Sequence, residues 1–158
     1  MSDDIVDFIE YSPETGIFRW KVSPCRHRRV GVIAGYSHPR DGHIRIGFMG
    51  KYYMAHRLAW RIMTGEWPAR LIDHRNCDPT DNRWLNLREA NSVQNARNRV
   101  GRGKYPKGVV LHKDGRFQAQ IGVNGKTIYL GLHDTAESAH EAYIEAAKRY
   151  FGEFARAA

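Results

Sequence analysis

The chain has 158 residues, 42% hydrophobic and 27% charged, with 25 Lys+Arg against 17 Asp+Glu for a formal net charge of +8. That is room for one ordinary domain or two small ones, and the apolar content excludes a disordered chain. The basic excess favours a polyanionic partner, because neutralised phosphates release condensed counterions, although charge alone speaks to association and not to fold.

Two cysteines, Cys25 and Cys77, stand far apart and outside any CxxC pair. This excludes a paired-cysteine zinc knuckle and a disulfide framework, and a reducing cytoplasm is the natural setting. The N-terminal MSDDIVDFIEY lacks the basic and apolar regions of a signal peptide, and no apolar run approaches the ~18 residues of a membrane span. The expectation is a soluble cytoplasmic protein with no membrane partner.

In chain order, Ser12 to Tyr53 is predicted to be β-rich, with Pro13, Gly16, Gly31, Gly35 and Gly42 as turn signals. Strands are expected at Ile17 to Trp20, Val30 to Ile33 and His43 to Phe48, the last alternating apolar with polar. His56 to Met63 has helical spacing and is stopped by Gly65 and Pro68. Leu71-Ile72 reads as a short strand, Arg75 to Asn86 as a polar loop, and Leu87 to Ala90 as the return strand. Asn91 or Ser92 can cap a helix carrying Val93, Asn95, Ala96 and Asn98. The unit is therefore strand–loop–strand–helix.

A basic connector follows, with Arg97, Arg99, Arg102, Lys104 and Lys107 among Gly101, Gly103 and Pro106. It reads as a solvated linker that can also lie along a groove and contact phosphates. Beyond it, three strands are expected at 109–113, 116–123 and 126–133, joined by Asp114-Gly115 and Asn124-Gly125 as type I′ turns. Asp134 with Glu137 reads as a capping box. Ala136, Ala139, Tyr143, Ala146, Ala147, Tyr150 and Phe154 form the apolar stripe of the following helix. Phe117, Ala119 and Ile121 would face that helix, leaving Arg116, Gln118 and Gln120 on the opposite, polar face. Trp20, Trp60, Trp67 and Trp84 are assigned to packing.

Chemistry concentrates in LIDHRNCDPTDNRWLNLREANSVQNARNR, from Leu71 to Arg99. His74 ends an apolar strand beside a carboxylate, and a neutral imidazole can take a proton from water near neutral pH. Asp73 can be a metal ligand or a surface or capping carboxylate. One carboxylate with one amide oxygen suits Mg²⁺, which keeps several waters and borrows phosphate oxygens, and Mn²⁺ is an alternative. Asn86, just before the return strand, is placed to bridge the loop backbone. Asn95 is the amide that can point back at the strand end, with Asn91 and Asn98 as rivals.

These residues resemble the HNH endonuclease family, in the phage homing-type branch whose last histidine is an asparagine. The resemblance lies in HRLAW from His56, the Gly65 to Pro68 turn, IDH ending at His74, DNR at 81–83, NLR at 86–88 and QNARN ending at Asn98. It implies His74 as general base, Asp73 and Asn95 as ligands of one divalent ion, and Asn86 as the loop-fixing amide. His56 is expected to pack structurally and Arg57 to touch phosphate. The C-terminal region separately resembles the plant Apetala-type, ethylene-response-factor DNA-binding domain through KGVVLHKDGRFQAQI and YLGLHDTAESAHEAYIEAAKRYFGEFA. That resemblance implies a sheet laid in the major groove of double-stranded DNA, with Arg116, Gln118, Gln120, Thr127 and Tyr129 as the contact face. Val110, Gly122 and Asp114 depart from the family's usual residues at their positions.

The expected fold is α+β. A ββα-metal core at about 71–98 lies in a nuclease domain of 1–98, followed by a linker at 99–107. A three-stranded sheet on one helix fills 108–158. The expected function is a metal-dependent, homing-type DNA endonuclease in a phage host cytoplasm, leaving 5′-phosphate and 3′-hydroxyl ends. One active unit per chain implies nicking by a monomer, or double-strand cutting when two chains act. The alternatives are a non-catalytic sequence-specific DNA-binding protein and, more weakly, an RNA-directed one.

Overall fold

Ile44, Ile46 and Phe48 alternate with Arg45 and Gly47, and in the computed structural model this run is a strand whose Ile46 and Phe48 are buried. The structure describes residues 4–23, 29–98 and 103–155. The chain divides into two compact units, 1–91 and 92–158, and the fold is α+β, built of small antiparallel sheets and three α-helices among the described residues.

In the first unit, β1 (Ile9–Tyr11) pairs with β2 (Phe18–Trp20). A second sheet has the order β3 (Tyr36–Ser37), β4 (Ile44–Phe48), β5 (Lys51–Met54). Its tight turn places Met49 and Gly50 at φ 46° and 75°, the left-handed pair that a two-residue hairpin requires. Helix α1 (Ala55–Thr64) follows directly and ends at Gly65, φ 84°, whose N–H donates to the Arg61 carbonyl. The third sheet is β6 (Leu71–His74) against β7 (Leu87–Ala90), with Asp73 opposite Arg88 and His74 opposite Leu87. Ile5, Phe18, Trp20, Ile46, Phe48, Leu58, Ile72 and Leu87 share one core.

The expected strand at Val30 to Ile33 is not formed as a strand. Trp20 N donates to the Val32 carbonyl and Gly31 N to the Trp20 carbonyl, so the segment runs along the edge of β2 with one bridge, Arg19 to Ile33. Val30, Val32 and Ile33 stay exposed, because nothing among the described residues covers that side.

The second unit begins with α2 (Ser92–Asn98), seven residues ahead of the boundary expected after residue 98. Strands β8 (Val109–Leu111), β9 (Phe117–Val123) and β10 (Lys126–His133) form one antiparallel sheet with β9 in the middle. Helix α3 (Ala136–Phe151) lies on it, and Ala119, Ile121, Ala139, Tyr143 and Ala147 are buried between them. Gly108, φ 84°, has no room for a side chain, since a Cβ there would stand 2.0 Å from the Tyr143 ring.

Three local expectations are corrected. The cap of α3 is Thr135, whose Oγ1 accepts from Ser138 N, so the helix starts one residue later than an Asp134 cap requires. Asn124 and Gly125 both take positive φ, as a type I′ turn needs, but Asp114 does not. There Gly115 alone is left-handed and donates to the His112 carbonyl, while the Asp114 carboxylate is drawn to Arg116. Tyr150 is exposed and leaves the apolar stripe.

Candidate active site

Three separate segments of the first unit deliver imidazoles to one place. The 38–43 turn ends at His43, the first turn of α1 carries His56, and β6 ends at His74. The ring centroids lie 5.1 Å (His43 to His56), 5.2 Å (His56 to His74) and 5.7 Å (His43 to His74) apart. Gly42 makes this approach possible: a Cβ there would reach 2.9 Å from the Pro79 ring in the motif loop. One ligand atom from each histidine lies within 4.8 Å of the others, so the trio could hold a metal ion.

Burial decides the protonation of His56 and His74. His56 is pushed down to about 3 by burial, then by neighbouring His74, His43 and Arg57. Its Nδ1 is buried with no hydrogen-bond partner among the described residues. His74 is also lowered, first by burial and further by His43, against the raising effects of its hydrogen bond with Asn82 and of Asp73. Both imidazoles are neutral at pH 7.

Asn82 orients His74. Its Oδ1 lies 3.3 Å from His74 Nε2, and its Nδ2 donates to the Thr80 carbonyl. With the amide nitrogen engaged there, the oxygen faces the ring and can only accept, so Nε2 carries the hydrogen and Nδ1 keeps its lone pair. The β1–β2 hairpin holds Asn82 from behind. Tyr11 Oη donates to the Asn82 carbonyl at 2.7 Å, Trp84 N donates to the Pro13 carbonyl, and a Cβ on Gly16 (φ 73°) would stand 2.5 Å from Arg83 N. Burial, with the Asp81 charge behind it, raises the Tyr11 phenol to about 12, so it stays a donor.

Asn86 closes the loop at its base. Its Oδ1 accepts from Asn76 N at 3.0 Å, and its Nδ2 donates to Asn76 Oδ1 at 2.9 Å and to the Asp81 carbonyl at 2.7 Å. Asn76 Nδ2 donates in turn to Asp81 Oδ2. Hydrogen bonds from Arg83 bring the Asp81 carboxyl down to about 2. Amides and carboxylates thus do in this loop what paired cysteines and zinc do in a knuckle.

Asp73 is held by Arg88, whose Nε and one terminal nitrogen both donate to Oδ2 at 3.0 and 2.8 Å. Both side chains are buried. A carboxylate with an amide oxygen is a donor set for a hard, water-retaining cation. Asn95 is half-buried on α2, in the second unit.

Of the residues expected to meet DNA, Arg57 donates to the Pro68 and Arg70 carbonyls and fixes the turn after α1. Lys104 is exposed with Nζ 5.5 Å from the Tyr105 ring centroid. Arg99 and Arg102 lie outside the described residues, and for Arg97 only the helical backbone is described. Gln118 and Gln120 are adjacent on β9, Nε2 of one to Oε1 of the other at 3.2 Å. Tyr129 pairs with Gln120 and Thr127 with Gly122 in register, so all four side chains share the sheet face opposite α3. Arg116 stands exposed at the end of that row, its guanidinium held by Asp114.

Sequence reasoning missed His43 and Asn82 as site residues and read His56 as packing. The three histidines stand 13 residues (His43 to His56) and 18 residues (His56 to His74) apart, spacings that follow no ligand motif. Asn82 carried a signal in the DNR triplet, but only its contact with His74 gives the triplet a role.

The chain is similar to known proteins of two kinds. Residues 53–97 match the family model described as HNH endonuclease. Two curated rice proteins, the APETALA2-like protein 2 of Oryza sativa subsp. indica and that of subsp. japonica, are each 50% identical to this chain over 48 residues. That similarity spans 29% of this chain and 11% of each relative. No described helix is long and apolar enough to cross a membrane. The segment from Tyr53 to Arg97 is thus similar to HNH endonucleases, a family of DNA-cutting enzymes that use a divalent metal.

Proposed function

We propose that the chain is a metal-dependent DNA endonuclease of the homing type, with His74 as general base and an Apetala-like sheet for duplex binding. The observation that carries the reading is the contact of His74 Nε2 with Asn82 Oδ1 at 3.3 Å, on a ring that burial holds neutral, inside the segment that matches HNH endonucleases. Nδ1 takes a proton from water as that water's oxygen attacks phosphorus. The bond to the 3′-oxygen breaks, and the leaving oxygen takes a proton from solvent, giving 5′-phosphate and 3′-hydroxyl ends. Mg²⁺ or Mn²⁺, with Asp73 and Asn95 as its protein ligands, would neutralise charge on the phosphate and the departing oxygen. Asn86 keeps the loop closed under His74.

Duplex contact is assigned to Gln118, Gln120, Thr127 and Tyr129, with Arg116 after release from Asp114. The basic residues Arg97, Arg99, Arg102 and Lys104 lie along phosphates. Arg57 acts through the turn it holds.

One observation favours the second reading, a non-catalytic sequence-specific DNA-binding protein. His74 is only 5% exposed, so water must reach it past the His43 and His56 rings. The deciding experiment incubates the protein with large mixed DNA and Mg²⁺ and sequences the new ends. Cutting by wild type that is lost in His74→Ala with DNA binding retained supports the enzyme; tight binding with no cutting under any divalent ion establishes the second reading.

A further inference from the structure

The His43–His56–His74 cluster contains more ligating nitrogen than a general base needs. A single base requires one imidazole with an orienting partner, which Asn82 already supplies. Yet two further rings are brought beside it, one of them, His56, 94% buried with its Nδ1 unsatisfied among the described residues. A buried, unpaired ring nitrogen is costly unless something occupies it. The carboxylate of Asp41, itself bound by Arg45 at 2.7 Å, stands 3.7 Å from His43 Nδ1, too far for a hydrogen bond but near enough to become the carboxylate partner that orients a metal-bound histidine. Asn82 already holds His74 at 3.3 Å.

We propose that His43, His56 and His74 form a site for one borderline transition ion of the Zn²⁺ class, and that its binding withdraws His74 from proton transfer and shuts off cutting. The donor chemistry selects the ion. Three imidazole nitrogens suit Zn²⁺, Co²⁺, Ni²⁺ or Cu²⁺, whereas Mg²⁺ takes oxygen and keeps its water. Tetrahedral nitrogen ligands about 2.0–2.1 Å from zinc lie roughly 3.3 Å from one another. Closing from 4.8 Å therefore takes about 1.5 Å of side-chain movement, and half-exposed His43 is placed to make most of it. Three protein ligands leave a fourth position open, so the ion is reachable and exchangeable. The ion-binding claim stands on the three rings alone; the inhibition rests on His74 being the base.

The test uses the full chain and two arms. In the first, without DNA, Co²⁺ is titrated while its visible absorption is followed, and Zn²⁺ then displaces it against a chelating indicator. Wild type takes one ion per chain with the intense spectrum of a low-coordinate nitrogen site. His43→Ala, the half-exposed member whose loss the fold tolerates, binds at least about 100-fold more weakly. His112→Ala, in the other unit, binds as wild type, and His56→Gln with a native circular dichroism spectrum repeats the loss. Equal affinity in wild type and His43→Ala, or no bound ion, overturns the site. In the second arm, DNA cutting in Mg²⁺ is measured before and after one equivalent of Zn²⁺. Inhibition of about 100-fold or more in wild type, the contribution of a general base, supports the proposal when His43→Ala is spared. Acceleration by Zn²⁺ overturns the inhibitory role and makes the ion the cofactor. A protein that binds Co²⁺ as described but never cuts removes the nuclease reading and the inhibition with it, while upholding the site.

Discussion

Asn82 Oδ1 lies 3.3 Å from His74 Nε2, and because an amide oxygen only accepts, this contact leaves His74 Nδ1 as the basic nitrogen. Asn82→Leu removes the constraint without adding a charge. The cutting rate should fall by about 10- to 100-fold, within the range of a misaligned base, while the dissociation constant for DNA stays within about twofold. Unchanged cutting would remove Asn82 from the positioning of His74.

The pH dependence follows from the same ring. Burial holds His74 below its ordinary 6.5, so the base is already deprotonated at neutral pH. Cutting is therefore expected to be flat through neutrality and to decline only as pH falls below that ordinary value. Asn82→Asp places a carboxylate at Nε2, favours the imidazolium and shifts the acid limb upward. Initial rates across the acidic range, with metal saturating, check both statements.

Asn86→Ala should weaken the protein as well as its chemistry. The substitution strands the Asn76 N–H and the Asp81 carbonyl, which Asn86 satisfies. A loss of about 2–3 kcal/mol is expected from urea melts. A stability within about 0.5 kcal/mol of wild type would mean that water replaces both bonds.

Arg88→Leu leaves the Asp73 carboxylate buried without its guanidinium, and a cost on the order of 3–5 kcal/mol is expected. Adding Asp73→Leu should recover much of that loss, because most of it is the cost of the buried carboxylate and not of missing packing. Equilibrium unfolding of the single and double variants measures the coupling.

His56 makes stability pH-dependent in the metal-free protein. Its native value of about 3 lies below the ordinary 6.5, so between these the unfolded chain binds a proton that the native state lacks. Stability therefore falls as pH drops below 6.5, by about 1.4 kcal/mol per unit, and this loss levels off below about 3. In chelator, urea midpoints at about pH 7 and about pH 5 should diverge for wild type and less so for His56→Leu.

Elements governed by local rules were legible in the sequence. The β4 alternation, the Asn124-Gly125 turn, the Gly65 stop of α1 and the paired strands around the motif loop all follow from backbone preference and side-chain period. Errors arose where two adjacent residues could do the same job. Asp134 and Thr135 are both cap formers, and the choice fell to whichever side chain met the N–H of the third helical residue. The histidine cluster was illegible for a different reason: its members are brought together by a loop, a helix start and a strand end, and no spacing rule links them. The Asp73–Arg88 pair lay between these cases. It follows directly once His74 is set opposite Leu87, because the next pair along the two strands is then fixed.

The hairpin behind Asn82 bears on how far the motif can travel. Tyr11, Pro13 and Gly16 brace the loop from outside the segment shared with HNH endonucleases, and His43 enters from outside it as well. A fragment trimmed to 53–97, or that stretch grafted onto another scaffold, would keep every motif letter and lose the wall that aims them. In this chain the HNH-like segment is not a transplantable cassette, and a fusion built from it must carry the first ninety or so residues whole.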